Sequence, residues 1–300
     1  MRIKAALLGF LALTVLYLGT LAWADARRQV FDGVVALASV LPALMLLSLV
    51  TYGLRFARWH WLLARAGHAT PVGTGFLAYL AGFAFTATPG KVGELVRVRY
   101  LVPLGVPAAE VIAVFVFERA LDLIVVLALA MLAVRDARLL GVAALFVLGC
   151  LALVVMLGRW PALLEGVARR LSAWRLPRVA RIALTLSDGL SGAGAWMRPL
   201  DLTVGVALGL LAWGGTALSF GYLLHRLGVT GLASAEALAI YPQAMLAGAA
   251  SMLPGGLGST EASIAALLAL AGVALPVGVL AAVGIRLATL WFAILCGLVA

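Results

Sequence analysis

Long apolar runs separated by shorter polar connections dominate the chain. The first follows Met1-Arg2-Ile3-Lys4 and continues through about 20 residues to Trp23, the length of a membrane-spanning helix. Others cover roughly residues 33–54, 71–88, 107–132, 139–157, 200–224, 233–253 and 275–299. The pattern predicts an all-α, polytopic membrane helix bundle. The one long polar connection, from Arg159 to Arg198, holds seven Arg against Glu165 and Asp188. Within it Leu163, Leu164, Val167, Leu171 and Trp174 recur at helical spacing, which predicts an amphipathic helix on the membrane surface.

Composition agrees with this class. Hydrophobic residues make up 65% of the 300 positions and charged residues 11%, with a mean hydropathy of +1.14, more apolar surface than a soluble core can bury. The net charge of +10 lies in the connections between apolar runs, so orientation and anionic lipid explain it better than nucleic acid. Cys150 and Cys296 stand singly in apolar runs, and His60, His68 and His225 lack a second ligand at metal spacing. Neither disulfide, metal nor cofactor is expected.

Loop charges set the expected topology. Arg2 and Lys4 start the chain in the cytoplasm, the loop of Asp25, Arg27, Arg28 and Asp32 is balanced, and Arg55, Arg58 and Arg65 mark the return. Ala24-Asp25-Ala26 resembles a signal-peptidase site, but the preceding run exceeds a usual signal core, so an uncleaved first helix is expected. If residues 71–101 crossed fully, the basic linker would lie outside. A re-entrant hairpin restores agreement, and Thr86-Ala87-Thr88-Pro89-Gly90-Lys91-Val92-Gly93-Glu94 supplies the break, since Pro interrupts a helix and Gly permits reversal.

The device recurs at Leu253-Pro254-Gly255-Gly256-Leu257-Gly258-Ser259-Thr260-Glu261. From Glu94 it is 11 residues to Gly105-Val106 and 25 to Arg119; from Glu261 it is again 11 to Gly272-Val273 and 25 to Arg286. Hairpin-break positions are therefore Pro89, Gly90, Gly93, Pro254, Gly255 and Gly258. Counting spans places the second hairpin on the opposite side, which predicts two inverted repeats. The expected organisation is one membrane domain: residues 1–32 a first span and loop, 33–157 the first repeat, 158–199 the basic cytoplasmic linker and 200–299 the second repeat.

Arg119 and Arg286 each fall about midway along an apolar run, where a charge costs roughly 2.5–3.5 kcal/mol. They read either as a fork for phosphate oxygens or as internal ties to Asp122, Glu94 and Glu261. Glu94 and Glu261 meet the cationic part of a head group, carry a coupling proton, or brace the hairpins. Lys91, Arg97 and Arg99 form a cationic cluster expected at a cytoplasmic mouth, either solvated or recruiting anionic head groups. Gly205-x-x-x-Gly209 predicts close helix packing.

The Pro89-Gly90-x-x-Gly93-Glu94-x-x-Arg97 hairpin, the Glu118-Arg119-x-x-Asp122 helix and Pro254-Gly255-Gly256-Leu257-Gly258-x-x-Glu261 followed by Arg286 resemble the membrane domain of lysylphosphatidylglycerol synthase/flippase proteins, the multiple peptide resistance factors and their stand-alone relatives. The resemblance spans about residues 33–299. It implies two re-entrant hairpins and movement of a phospholipid or other phosphate-bearing polar lipid between leaflets, with Glu94, Arg119, Asp122, Glu261 and Arg286 lining the cavity. Members that synthesise the aminoacyl lipid carry a soluble transferase domain with no counterpart in these 300 residues, so synthase activity is not expected. The expected location is the bacterial plasma (inner) membrane. The expected partner is a membrane lipid with an anionic or zwitterionic head group; a second copy of the chain and a lipid or glycan synthase are the candidate protein partners. The rival readings are a membrane-embedded lipid-modifying enzyme and a non-transporting scaffold for such a synthase.

Overall fold

The computed structural model of the protein describes residues 37–134, 136–160, 162–173 and 198–300, together with Leu184 and Trp196. The first apolar run, the Ala24-Asp25-Ala26 site and Trp174 lie outside the described residues. Among the described residues the secondary structure is entirely helical. In chain order the helices are α1 (Leu41–Arg65), α2 (Val72–Phe83), α3 (Arg97–Leu101), α4 (Ala108–Ala130), α5 (Ala137–Arg159), α6 (Ala162–Ala173), α7 (Pro199–Arg226), α8 (Ser234–Ala250) and α9 (Ser259–Leu270). The last, α10, runs over Leu275–Val299 and carries a π-helical turn at Leu287–Trp291.

Local chemistry fixes the ends of these helices. Pro42 and Pro199 occupy first turns, where a missing N–H costs nothing. α1, α7 and α9 are each followed by a left-handed glycine, Gly67, Gly228 and Gly272, the usual helix stop. Asp136 caps α5 by accepting from the Arg138 and Leu139 amides at 2.7 and 3.1 Å.

α7 and α10, with 28 and 25 residues, are both long and apolar enough to cross a bilayer. At 1.5 Å per residue they extend about 42 and 38 Å. α1 packs along α7, α8 touches α4, α7 and α9, and the end of α10 lies on α2. One apolar core gathers Phe56, Trp59, Leu62, Tyr79, Phe83 and Phe117 between α1, α2 and α4. A second joins Leu44, Val125, Phe220, Tyr241, Ile264 and Ile285. Trp196, fully buried in the first core, donates to the Leu62 carbonyl at 2.9 Å and ties the approach to α7 onto α1.

The second apolar run was expected to end near residue 54 with Arg55 and Arg58 in a loop. Instead α1 continues to Arg65 and carries both residues within the helix. Arg58 is fully buried, because it continues the inward face of Leu44, Ser48 and Thr51. α6 occupies the start of the basic linker, and its Leu163 and Val167 side chains are exposed.

Candidate functional site

Two interruptions of helix lie against each other. After α2 the chain turns back, so that Arg97 lies against Gly82 and its Nε donates to the Tyr79 carbonyl at 3.3 Å. The turn holds Gly90 and Lys91 in the left-handed region, at φ 61° and 57°. Thr88 Oγ1 donates to the Phe85 carbonyl at 2.9 Å and accepts from the Gly93 amide at 2.7 Å. Gly93 has no room for a side chain, since a Cβ would lie 2.5 Å from the Phe85 oxygen.

The second interruption separates α8 from α9, which pack against each other. Gly255 and Gly256 take φ of 61° and 64°, close to the φ of Gly90 and Lys91. The Gly258 amide donates to Glu261 Oε2 at 2.7 Å and opens α9. Arg286 holds this turn from α10: its Nε donates to Glu261 Oε1 at 2.8 Å and its Nη2 to the Gly255 carbonyl at 2.5 Å. The π-helical turn begins at the next residue, a helix irregularity frequent at functional sites. The two turns touch: a Cβ on Gly255 would stand 3.3 Å from Ala87 Cα.

Beside the first turn lies a buried ionic cluster. Arg58 Nη2 donates to Asp122 Oδ1 at 2.6 Å and to Glu118 Oε1 at 3.1 Å. Arg119 Nη2 sits 3.1 Å from both Glu118 Oε2 and Asp122 Oδ2. Arg97 Nη2 donates to Glu94 Oε2 at 2.8 Å, and Thr86 Oγ1 donates to Glu94 Oε1 at 2.7 Å. Arg97 also stands 3.8 Å from Glu118 and covers the Tyr79 ring at 4.0 Å. Tyr79 donates to Glu118 at 3.2 Å and Trp213 Nε1 to Asp122 at 3.0 Å. Three guanidinium groups thus face three carboxylates. Such a cluster survives away from water only while its charges balance.

A cavity of about 170 Å³ opens between α1, α7, α8, α10 and the two turns. Thr51, Arg55, Lys91, Glu94, Trp213, Tyr241, Arg286 and Thr289 contribute its polar and aromatic wall. Of the residues expected to line it, Glu94 and Arg286 do, as do Gly90 and Gly255. Arg119, Asp122 and Glu261 do not line it and are engaged with the partners given above. Pro89, Gly93, Pro254 and Gly258 shape the turns. Arg97, expected at a solvated mouth, is only 1% exposed, because Gly82 leaves space for it against Tyr79 and Glu94 closes its ion pair. Arg99 is exposed, and Lys91 faces the cavity.

Arg55, Arg58, Tyr79 and Trp213 were not anticipated as site residues, and Glu118 was noticed only as part of a motif. The signal for Arg58 was present in the helical repeat of Leu44, Ser48 and Thr51. Trp213 had none, since its partners Arg55 and Asp122 lie far away in sequence.

The described residues form a helical bundle with two helices long and apolar enough to cross a bilayer, which supports an integral membrane protein. The chain belongs to the family described as the lysylphosphatidylglycerol synthase TM region, whose family model matches residues 4–297. No curated protein matches the chain in sequence.

Proposed function

We propose that this protein is a lipid transporter of the flippase type, moving a phospholipid or other phosphate-bearing polar lipid between leaflets. The observation that carries the reading is the meeting of the two Pro-Gly turns at a cavity whose wall holds Arg55, Lys91, Glu94 and Arg286. A polar head group crossing the hydrocarbon unaided meets a steep cost, and a wall of fixed charges and hydroxyls replaces its hydration. At about 170 Å³ the cavity is smaller than the roughly 300 Å³ of pockets that enclose a drug-sized ligand. It therefore takes the head group while the acyl chains stay in the bilayer.

The hairpins fit this reading as re-entrant elements. α2 and α9, at 12 residues each, extend about 18 Å, short of the roughly 30 Å hydrocarbon core. The two turns touch, and re-entrant hairpins in inverted-repeat transporters keep such irregular backbone against protein or a cavity and not lipid. The matched left-handed turns at Gly90-Lys91 and Gly255-Gly256 support a common origin of the two halves.

The test is leaflet exchange of labelled lipids in proteoliposomes, comparing wild type with Arg286→Ala after confirming that the variant folds. Head-group-selective exchange lost in the variant supports the carrier. Absence of exchange for every lipid, or full exchange in the variant, rejects it in favour of a scaffold or an enzyme.

A further inference from the structure

The buried charges do not cancel around the cavity. Arg58, Arg97 and Arg119 are balanced by Glu94, Glu118 and Asp122, and Arg286 by Glu261. Glu94 reaches the wall, but its two oxygens are already engaged by Thr86 and Arg97. Two cations on the wall remain. Among the described residues neither Arg55 nor Lys91 has a carboxylate within ion-pair distance, and Arg55 Nε is buried without a hydrogen-bond acceptor.

Both cations are gathered on one ring. The Arg55 guanidinium lies 4.4 Å from the centroid of the Trp213 ring and Lys91 Nζ lies 5.9 Å from it. Trp213 is in turn pinned by its hydrogen bond to Asp122, so the neutral cluster sets the position of the charged wall. Lys91 also holds a left-handed backbone that glycine adopts at lower cost, and Gly256 fills the corresponding place in the second turn. A lysine at a position suited to glycine points to a use for its side chain.

We infer that Arg55 and Lys91 form the docking site for a lipid head group that carries two negative charges on phosphate, a phosphomonoester or a diphosphate. The inference rests on the lipid-carrier reading and narrows its substrate. A fork from Arg55 and a point charge from Lys91 suit a terminal phosphate with several free oxygens, and together they neutralise it. A zwitterionic head group leaves net positive charge on the wall, and a cationic aminoacyl head group adds to it.

The experiment is native mass spectrometry of the full chain in detergent with phosphatidic acid, phosphatidylglycerol, phosphatidylethanolamine and lysyl-phosphatidylglycerol as probes, and inorganic phosphate as competitor. At pH 8 wild type retains phosphatidic acid about tenfold more tightly than phosphatidylglycerol, the worth of one further charge-assisted contact. That preference fades below about pH 6, where the phosphomonoester takes up its second proton. Arg55→Gln and Lys91→Gly abolish the preference, whereas Lys91→Arg retains it. Lys91→Gly relieves the turn and melts no lower than wild type, so its loss of binding is not unfolding. Equal retention of phosphatidic acid and phosphatidylglycerol by wild type overturns the inference and leaves the carrier reading standing if leaflet exchange is present. Displacement by inorganic phosphate at concentrations matching the lipid assigns the cations to free phosphate and overturns it too. Failure to bind any lipid, together with absent leaflet exchange, removes both.

Discussion

Replacing Glu118 with glutamine tests the ionic cluster at its hub. Glu118 is fully buried, accepts from Arg58 and Tyr79 on one oxygen, and faces Arg119 and Arg97 with the other at 3.1 and 3.8 Å. Glutamine keeps the shape and removes one negative charge, leaving three guanidinium groups against Glu94 and Asp122. Uncompensating a buried pair costs about 3–5 kcal/mol, and for a chain of this size that lowers the melting temperature by on the order of 10 °C. Heat-induced unfolding of the detergent-purified protein, followed by intrinsic fluorescence, reads the effect. Tyr79→Phe is the control: it removes one hydrogen bond to the same oxygen and costs about 1 kcal/mol. Adding Arg119→Gln to Glu118→Gln restores balance, so the double variant melts above the Glu118→Gln single. If Glu118→Gln melts with wild type, or the double variant falls below it, charge balance does not hold the cluster together.

Gly82→Ala places a methyl 2.5 Å from Arg97 Nε and pushes that side chain off Glu94, an overpacking cost of about 1–3 kcal/mol measurable by the same melting experiment. Arg286→Lys keeps the charge but not the fork, so it cannot serve Glu261 and the Gly255 carbonyl together; leaflet exchange falls about tenfold or more while the protein still folds. Asp136→Ala removes the cap of α5 at an exposed helix end and costs about 1 kcal/mol of stability without changing exchange.

The parts of this molecule legible in the chain were those written in local chemistry. Pro89-Gly90 and Pro254-Gly255 announced two turns, and the structure gives them matching left-handed backbones. Gly205 and Gly209 announced close approach: Cβ atoms there would stand 2.8 Å from Leu121 and 2.7 Å from Arg58. Spacing could not say that one of the closely packed groups is a guanidinium. Arg58 was misplaced because a span counted from its apolar start reaches bilayer length before the helix ends. Only burial of α1 against α4 and α7 lets the helix carry that charge inward, beside acids some sixty residues away. Arg97 was misplaced for a related reason, since a cationic triplet after a turn reads as solvated until Gly82 is seen to leave a slot for it.

The central claim is that lipid head groups pass through the cavity between the two turns. Ala249 is exposed and forms part of its wall, so Ala249→Trp obstructs the passage while sparing the core. The measurement is the rate of leaflet exchange of labelled phosphatidic acid in proteoliposomes holding wild type or Ala249→Trp at equal, folded amounts. Wild type exchanges the lipid rapidly, and the variant does so at a rate near that of protein-free vesicles. Equal rates in the two preparations would contradict passage through the cavity.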